Sequence, residues 1–267
     1  MTARYEIRDL IAQSGGGKVY HGWDHEQHRE VVIKRAGSDG DDAALRQEAA
    51  VLAQVRHPNI TALLDIGDDE SGTFIVMERV PGRTLESVVA QCPLDSSAFD
   101  QLAAQTLDGL IAAHAQNVVH QDLSPQNIMV EVGAAGRVRA TMLDFGASRT
   151  LPADGAMSET GPVMGSLFFM APERFDRVPA DARSDLYSLG CVCYFALAGT
   201  PPFQGDTAPQ VMVSHLRHQF TPLAAVRPDL PAFIPKWVEW LISRNPDDRP
   251  ANAAVALDAY RARRFPA

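Results

Sequence analysis

Lysine is nearly missing from this chain. Of its 24 basic residues only Lys18, Lys34 and Lys236 are lysine, and the other 21 are arginine. A genome that prefers arginine codons produces that skew with no functional cause. It still singles out each lysine that was kept. Cysteine is equally scarce: Cys92, Cys191 and Cys193 are too few and too poorly spaced for a disulfide framework or a zinc site. That usage fits a reducing, cytoplasmic setting. A surplus of positive charge is absent as well. The formal net charge is −9, and a dedicated nucleic-acid binder would need a basic face, so no nucleic-acid partner is expected. The opening residues MTARYEIRDL alternate charged and apolar groups and do not resemble a secretory signal.

Long apolar runs are also lacking, with one segment to weigh. Leu186–Gly205 carries no charge over 20 residues, the length of a membrane span. It is interrupted by Gly190, Gly199, Pro201, Pro202 and Gly205, and the apolar stretch Leu186–Ala198 is too short to cross a bilayer. The pattern predicts a buried core helix ending at Gly199 and no membrane span. What is present is ordinary for a globular protein: 46% hydrophobic and 21% charged residues in 267. That length allows one large domain or two small lobes.

The first 80 residues read as strand-rich. Tyr5–Ile11, Val19–Trp23, Glu30–Lys34, Ala62–Gly67 and Thr73–Val80 are short, apolar or β-branched, and separated by Gly, Asp and Ser. One helix interrupts them. It starts near Asp41 and Asp42, which suit the positive end of a helix dipole, and Leu45, Ala49 and Leu52 form its stripe. After Pro81-Gly82 the pattern turns helical. Phe99, Leu102, Thr106, Leu110 and Ala113 line one face of a long helix ending near Asn117. Short strands are expected at Val118–Val119 and Ile128–Val130. Further helices are expected at Ala182–Ala198, Pro209–His218, Ile234–Arg244 and Ala251–Arg261. A small β-rich lobe, a Pro-Gly hinge and a larger helical lobe leave a cleft between them, where ligands favour binding.

Four groups carry chemistry. Ala12 to Lys18, with its small residues between two strands, lets backbone N–H groups approach a phosphate. It is not a Walker loop, since Val19 follows Lys18 and no helix follows; a flexible hairpin tip explains it equally well. In Val31-Val32-Ile33-Lys34, alternation puts Val32 and Lys34 on one face. Glu48 sits within the apolar helix stripe, three residues after Leu45, so it points inward and needs a partner. Lys34 is a natural one. His120 to Asn127 is a polar loop, and Leu143-Asp144-Phe145-Gly146 follows it. Asp122, Asn127 and Asp144 are oxygen-bearing groups at strand ends, the ligand type that a Mg²⁺–nucleotide requires. Each group alone could be a capped turn. Their joint order is harder to dismiss.

That order resembles a protein kinase of the eukaryotic-like, bacterial-type Ser/Thr class along nearly the whole chain. The glycine loop, VVIK, Glu48, HPNI, the run to Met77-Glu78, HQDLSPQN, DFG and APE follow the family's signature set. Ser184-Asp185-Leu186-Tyr187-Ser188-Leu189-Gly190 and Asn245-Pro246-Asp247-Asp248-Arg249-Pro250 match later landmarks. The resemblance implies an α+β, bilobal protein-kinase-like fold over residues 5–265. Residues 1–80 would form a β-rich N-lobe with its helix C, and 81–267 a mainly helical C-lobe. It implies ATP and Mg²⁺ as cofactors and protein Ser/Thr acceptors as substrates. Carried over, Asp122, Lys34, Glu48 and Ser124 would be catalytic, with Asp122 accepting or orienting the hydroxyl proton. Ile11, Ala12, Ser14, Gly15, Gly17, Val19, Val32, Lys34, Met77, Glu78 and Val80 would hold the nucleotide, with Met77 as gatekeeper and Val32 against adenine. Asn127 and Asp144 would hold the metal, and Glu173 and Arg249 would form a structural ion pair.

Four departures stand out. Ala12 and Ser14 replace the family's first two loop glycines, leaving Gly17. Gln121 replaces the arginine that pairs with a phosphorylated activation loop, which implies activity without strict dependence on modification at Ser158 or Thr160. Ser124 replaces the lysine that neutralises the γ-phosphate. Gly165-Ser166 and Phe169 replace Gly-Thr and Tyr. Two alternatives follow: a pseudokinase scaffold, motivated by the altered loop and missing lysine, and a small-molecule phosphotransferase, which would share the HxDxxxxN loop but lack APE and Arg249. His57 and His120 read as loop anchors, Trp237 and Trp240 as core or lobe surface, and Arg261, Arg263 and Arg264 as a solvated tail. The substrate, regulatory input and oligomeric state are left open.

Overall fold

The structure is a computed structural model and describes residues 4–14, 17–37, 41–144, 162–176 and 178–266. Five antiparallel strands form the first lobe: β1 (Tyr5–Ser14), β2 (Gly17–Asp24), β3 (Arg29–Arg35), β4 (Leu63–Asp69) and β5 (Gly72–Glu78), in the order β1-β2-β3-β5-β4. Helix α1 (Asp41–Leu52) packs on β4 and β5. Its buried stripe is the one its spacing predicts: Leu45, Ala49 and Leu52, with Glu48 among them. Each large apolar side chain taken from water there contributes about 1.5–3 kcal/mol. Alternation along β3 sorts its side chains as expected. Val31 and Ile33 join Tyr5, Phe74 and Val76 in one small core, while Val32 packs toward the main core.

The larger lobe begins at the hinge. Gly82 has φ +104°, and a Cβ there would lie 2.3 Å from the Val130 carbonyl oxygen, so glycine is required where the hinge crosses the next sheet. That sheet is β6 (Arg83–Thr84), β7 (Ile128–Val132) and β8 (Val138–Met142). Around it lie α2 (Leu85–Val89), α3 (Ser96–His114), α4 (Pro162–Leu167), α5 (Ala182–Ala198), α6 (Ala208–Arg217), α7 (Leu223–Val226), α8 (Phe233–Leu241) and α9 (Ala253–Ala262). Helix α5 carries the charge-free run that starts at Leu186 and is buried almost throughout. A capping box between Asp181 and Ser184 opens it, and Gly199, left-handed at φ +80°, closes it. Among the described residues no helix is long and apolar enough to cross a membrane.

The two lobes are tied directly. The Met142 N–H donates to the Asn59 carbonyl at 2.8 Å, and the Thr61 N–H to the Met142 carbonyl at 2.9 Å. The Asn59 amide adds a bond to the Ala140 carbonyl at 2.7 Å.

Several boundaries differ from expectation. Val118–Val119 is not a strand: the Val118 N–H closes onto the Ala113 carbonyl at 3.0 Å, so it finishes the turn after α3, and among the described residues it has no ladder partner. Helix α8 stops at Leu241, not Arg244: Ile242 has left helical backbone at φ −85° and ψ 12°, and the Ser243 N–H bonds back three residues to the Trp240 carbonyl at 3.3 Å; the Ser243 and Arg244 carbonyls beyond it are held by the Arg249 guanidinium. Asn252 caps α9 through the Val255 N–H, which delays its start. The arginine tail is not simply solvated, since Arg263 and Arg261 pair with Asp100 and Asp108 of α3. The strand β8 and the short β6 and α2 carry no strong sequence signal.

Candidate active site

Lys34 lies on β3, directly opposite Val19 of β2, and Glu48 faces it from α1. The Lys34 Nζ donates to both Glu48 oxygens at 2.8 Å and to Asp144 Oδ1 at 3.3 Å. An ammonium has three N–H donors, and all three are committed. Lys34 and Glu48 are only 9% and 5% exposed, so neither charge could persist there alone. Burial weakens the hold of Lys34 on its proton, but the Asp144 and Glu48 carboxylates outweigh it and raise its pKa. Burial pushes the Glu48 carboxyl up to about 7, against the pull of Lys34. Burial also acts to raise Asp144, yet Lys34 holds it below the usual carboxylate range. One buried cation is thus shared between a carboxyl that resists ionisation and one that favours it.

Two strand ends bring the oxygen-bearing residues together. Asn127 precedes β7 and Asp144 follows β8, and the Leu143 N–H donates to the Asn127 carbonyl at 2.8 Å. The Asn127 amide nitrogen donates to the Asp122 carbonyl at 2.8 Å and to Asp122 Oδ2 at 3.2 Å. With its nitrogen spent on Asp122, Asn127 has its Oδ1 left as an acceptor. Ser124 is buried immediately before the 3-10 turn Pro125–Asn127, and its carbonyl accepts from the Asn127 N–H at 3.0 Å.

A hairpin roofs this floor. Ala12 pairs with Val19 and Ser14 with Gly17, leaving a two-residue tip. Gly15 and Gly16, that tip, lie outside the described residues, as do Phe145, Gly146, Ser158 and Thr160. Gly17 has φ +127°, and a Cβ on it would sit 2.0 Å from the Arg35 carbonyl oxygen. The one loop glycine retained is therefore fixed by the close approach of β3. Ile11 is exposed, Val19 and Val32 are half-buried, and Val32 pairs with the buried Met77. The Glu78 N–H is already bonded to the Ala62 carbonyl at 2.9 Å, so along Glu78–Val80 that donor is not available to a ligand.

The loop itself rests on a residue whose role the sequence reading missed. Asp185, 1% exposed at the start of α5, accepts from the His120 and Gln121 N–H groups at 2.8 and 3.0 Å. The His114 Nε2 lies 2.9 Å from the same carboxylate. The available signal was a carboxylate immediately before the charge-free run that starts at Leu186. His120 is fully buried beneath the loop, as expected of an anchor. Below lies the predicted ion pair. Arg249 NH1 and NH2 each donate to Glu173 at 2.8 Å, and the Ser184 hydroxyl donates to Glu173 at 2.7 Å.

Residues 5–260 match the protein kinase domain family. The chain is 33% identical over 265 residues to "Serine/threonine-protein kinase PknB" of Mycobacterium tuberculosis, covering 95% of this chain and 42% of the relative. It is 34% identical over 264 residues to "Serine/threonine-protein kinase pkn3" of Myxococcus xanthus, covering 94% and 48%. The chain thus spans less than half the length of these relatives. A solved structure of Rad53 1-466 in complex with AMP-PNP superposes with a TM-score of 0.77 at 25% identity, covering 96% of this chain and 64% of that one. The PknI kinase domain of Mycobacterium tuberculosis superposes with a TM-score of 0.72 at 22% identity, covering 98% and 96%, a likeness of fold.

Proposed function

Because the chain belongs to the protein kinase domain family, we propose that it transfers the γ-phosphoryl group of ATP to serine and threonine hydroxyls of protein substrates. The observation that carries the reading is the convergence of Lys34, Glu48 and Asp144 with Asp122 and Asn127 at two adjoining strand ends. The relatives' names, serine/threonine-protein kinases, support the acceptor class. The kinase unit is taken as residues 5–265, its lobes dividing between 80 and 81, in a cytoplasmic setting.

In this reading Lys34 holds the α- and β-phosphates while Glu48 fixes the ammonium from behind. Val32, Met77 and Ile11 enclose the adenine, with Val19 and the backbone of Glu78 and Val80 beside it. Ala12, Ser14, Gly15 and Gly17 form the loop over the phosphates. Asn127 Oδ1 and the Asp144 carboxylate are hard oxygen donors of the kind Mg²⁺ takes, and they would hold the ion. The bound ion supplies charge neutralisation at the phosphates. Asp122 orients the acceptor hydroxyl and takes up its proton as the Oγ–Pγ bond forms and the bond from Pγ to the bridging oxygen breaks, releasing ADP. Ser124 brings a neutral hydroxyl where a lysine would bring charge. Positioning and electrostatics supply most of the acceleration.

The finer claim is that activity does not depend strictly on modification at Ser158 or Thr160. What supports it is Gln121, a neutral residue whose amide oxygen is engaged by Arg174. Incubation with labelled ATP and Mg²⁺ tests both levels. Transfer that is lost in Asp122→Ala and in Lys34→Ala supports the kinase. No transfer alongside measurable ATP binding favours a scaffold instead. Loss of nearly all activity in a Ser158→Ala/Thr160→Ala double variant would overturn the finer claim.

A further inference from the structure

Gln121 is held in the left-handed region, at φ +66°. A non-glycine residue there costs on the order of 1–3 kcal/mol and persists only where its surroundings dictate it. Two carriers of that constraint are visible. The Asp185 carboxylate takes the peptide N–H groups of His120 and Gln121. The second acts on the side chain: Arg174 NH1 donates to Gln121 Oε1 at 3.2 Å.

Arg174 comes from a fixed place. It closes the 3-10 turn Pro172–Arg174, adjacent to Glu173. Glu173 is gripped by Arg249 and Ser184, and the Arg174 N–H donates to the Ala171 carbonyl at 3.0 Å. The Gln121 side chain therefore runs from the strained peptide before Asp122 to a turn clamped onto the floor of the large lobe. Charge decides which residues can serve. A guanidinium donates only, so position 121 must offer an acceptor, and a glutamine amide does so without a second cation. An arginine at 121 would set two guanidiniums within hydrogen-bond reach of each other.

We propose that Gln121 and Arg174 form a positioning bridge that sets the orientation of Asp122, and that these two positions carry one cation between them, placed on 174. The proposal rests on the kinase reading. It makes the pair interchangeable as a unit: Gln121→Arg alone brings repulsion, Arg174→Gln alone removes the donor charge, and the double exchange restores one cation and one amide.

The test compares the full chain, Gln121→Arg, Arg174→Gln and the double exchange. Each is assayed with Mg-ATP and a degenerate serine/threonine peptide library, alongside an Asp122→Asn control. In Gln121→Arg we expect kcat to fall about tenfold with the KM for ATP unchanged, and in the double exchange to return within about threefold of the parent. Equal kcat in Gln121→Arg and an active parent, or losses that add in the double exchange, would overturn the bridge. No transfer by the parent would instead sink the kinase reading. Hydrogen exchange then reads the bridge without catalysis. Faster exchange at the amides of residues 120–122 in Arg174→Gln, reversed in the double exchange, supports it; unchanged exchange overturns it.

Discussion

Replacing Arg249 by methionine should cost more stability than any other single exchange of a charged residue in the large lobe. The guanidinium has five N–H donors, and the structure uses five. Nε donates to the Ser243 carbonyl at 2.8 Å, NH1 to Glu173 and the Arg183 carbonyl at 2.8 and 3.0 Å, and NH2 to Glu173 and the Arg244 carbonyl at 2.8 and 2.9 Å. Its carbon also stacks 4.7 Å from the Tyr187 ring centroid. Methionine fills much of the volume but leaves Glu173 half-buried without its cation, beside the Ser243 and Arg244 carbonyls that have lost their donor. Removing one partner of a buried pair costs roughly 3–5 kcal/mol, which for a domain of this size lowers the melting temperature by roughly 6–20 °C. Arg249→Lys should fall between, because three donors cannot replace five. The effect has a pH signature. Burial acts to raise the Glu173 carboxyl, but Arg249 and Ser184 more than offset it and hold it below the usual glutamate range. A depressed folded pKa means the stabilisation is present above the unfolded value and is lost as pH falls through the folded one. The melting gap between parent and Arg249→Met should therefore narrow below roughly pH 4.3. Calorimetry at several pH values reads it. A gap under 2 °C at pH 7, or one that widens in acid, would refute the reasoning (order of magnitude from the same relation).

Three further expectations follow from single contacts. Lys34→Arg keeps the charge but cannot seat a planar fork where one nitrogen serves three oxygens, so phosphoryl transfer should drop on the order of 100-fold while the fold survives, read by kcat/KM and by melting. Gly17→Ala should lose about 1–3 kcal/mol in urea unfolding, since its Cβ would meet the Arg35 carbonyl in a left-handed backbone. His215 is fully buried against Tyr187 and Phe203, and burial pushes its pKa down to about 3. The unfolded chain then binds the extra proton between its ordinary value and the folded one. Stability should fall with acidification by up to about 1.4 kcal/mol per pH unit in that window, a slope that His215→Leu removes.

What was legible in the chain was whatever periodicity or charge could betray. Glu48 stood in an apolar stripe, so its inward direction and its need for a partner followed from spacing, with Lys34 a natural candidate. Gly199 marked the end of the buried core helix, and its left-handed backbone is the physical reason. What stayed hidden depends on contacts between distant segments. Val118–Val119 looked like a strand because two β-branched residues follow a helix, yet among the described residues no strand pairs with it. Asp185 stood in the sequence only as part of a later landmark, and only the fold brings the His120 and Gln121 N–H groups onto it. Arg174 carried no signal, since its partner Gln121 lies 53 residues away. Gly17 was read as a phosphate-loop residue, whereas the approach of Arg35 already demands it.

The central claim is that Asp122 and the groups around it run phosphoryl transfer rather than merely bind nucleotide. Single-turnover transfer from γ-labelled ATP, measured for the parent and for Asp122→Asn at saturating Mg-ATP, tests it most directly. The account predicts label on serine and threonine with the parent, and a rate at least about 100-fold lower with Asp122→Asn at equal ATP affinity. Equal rates in the two proteins, or ATP binding with no label transferred by the parent, would contradict it.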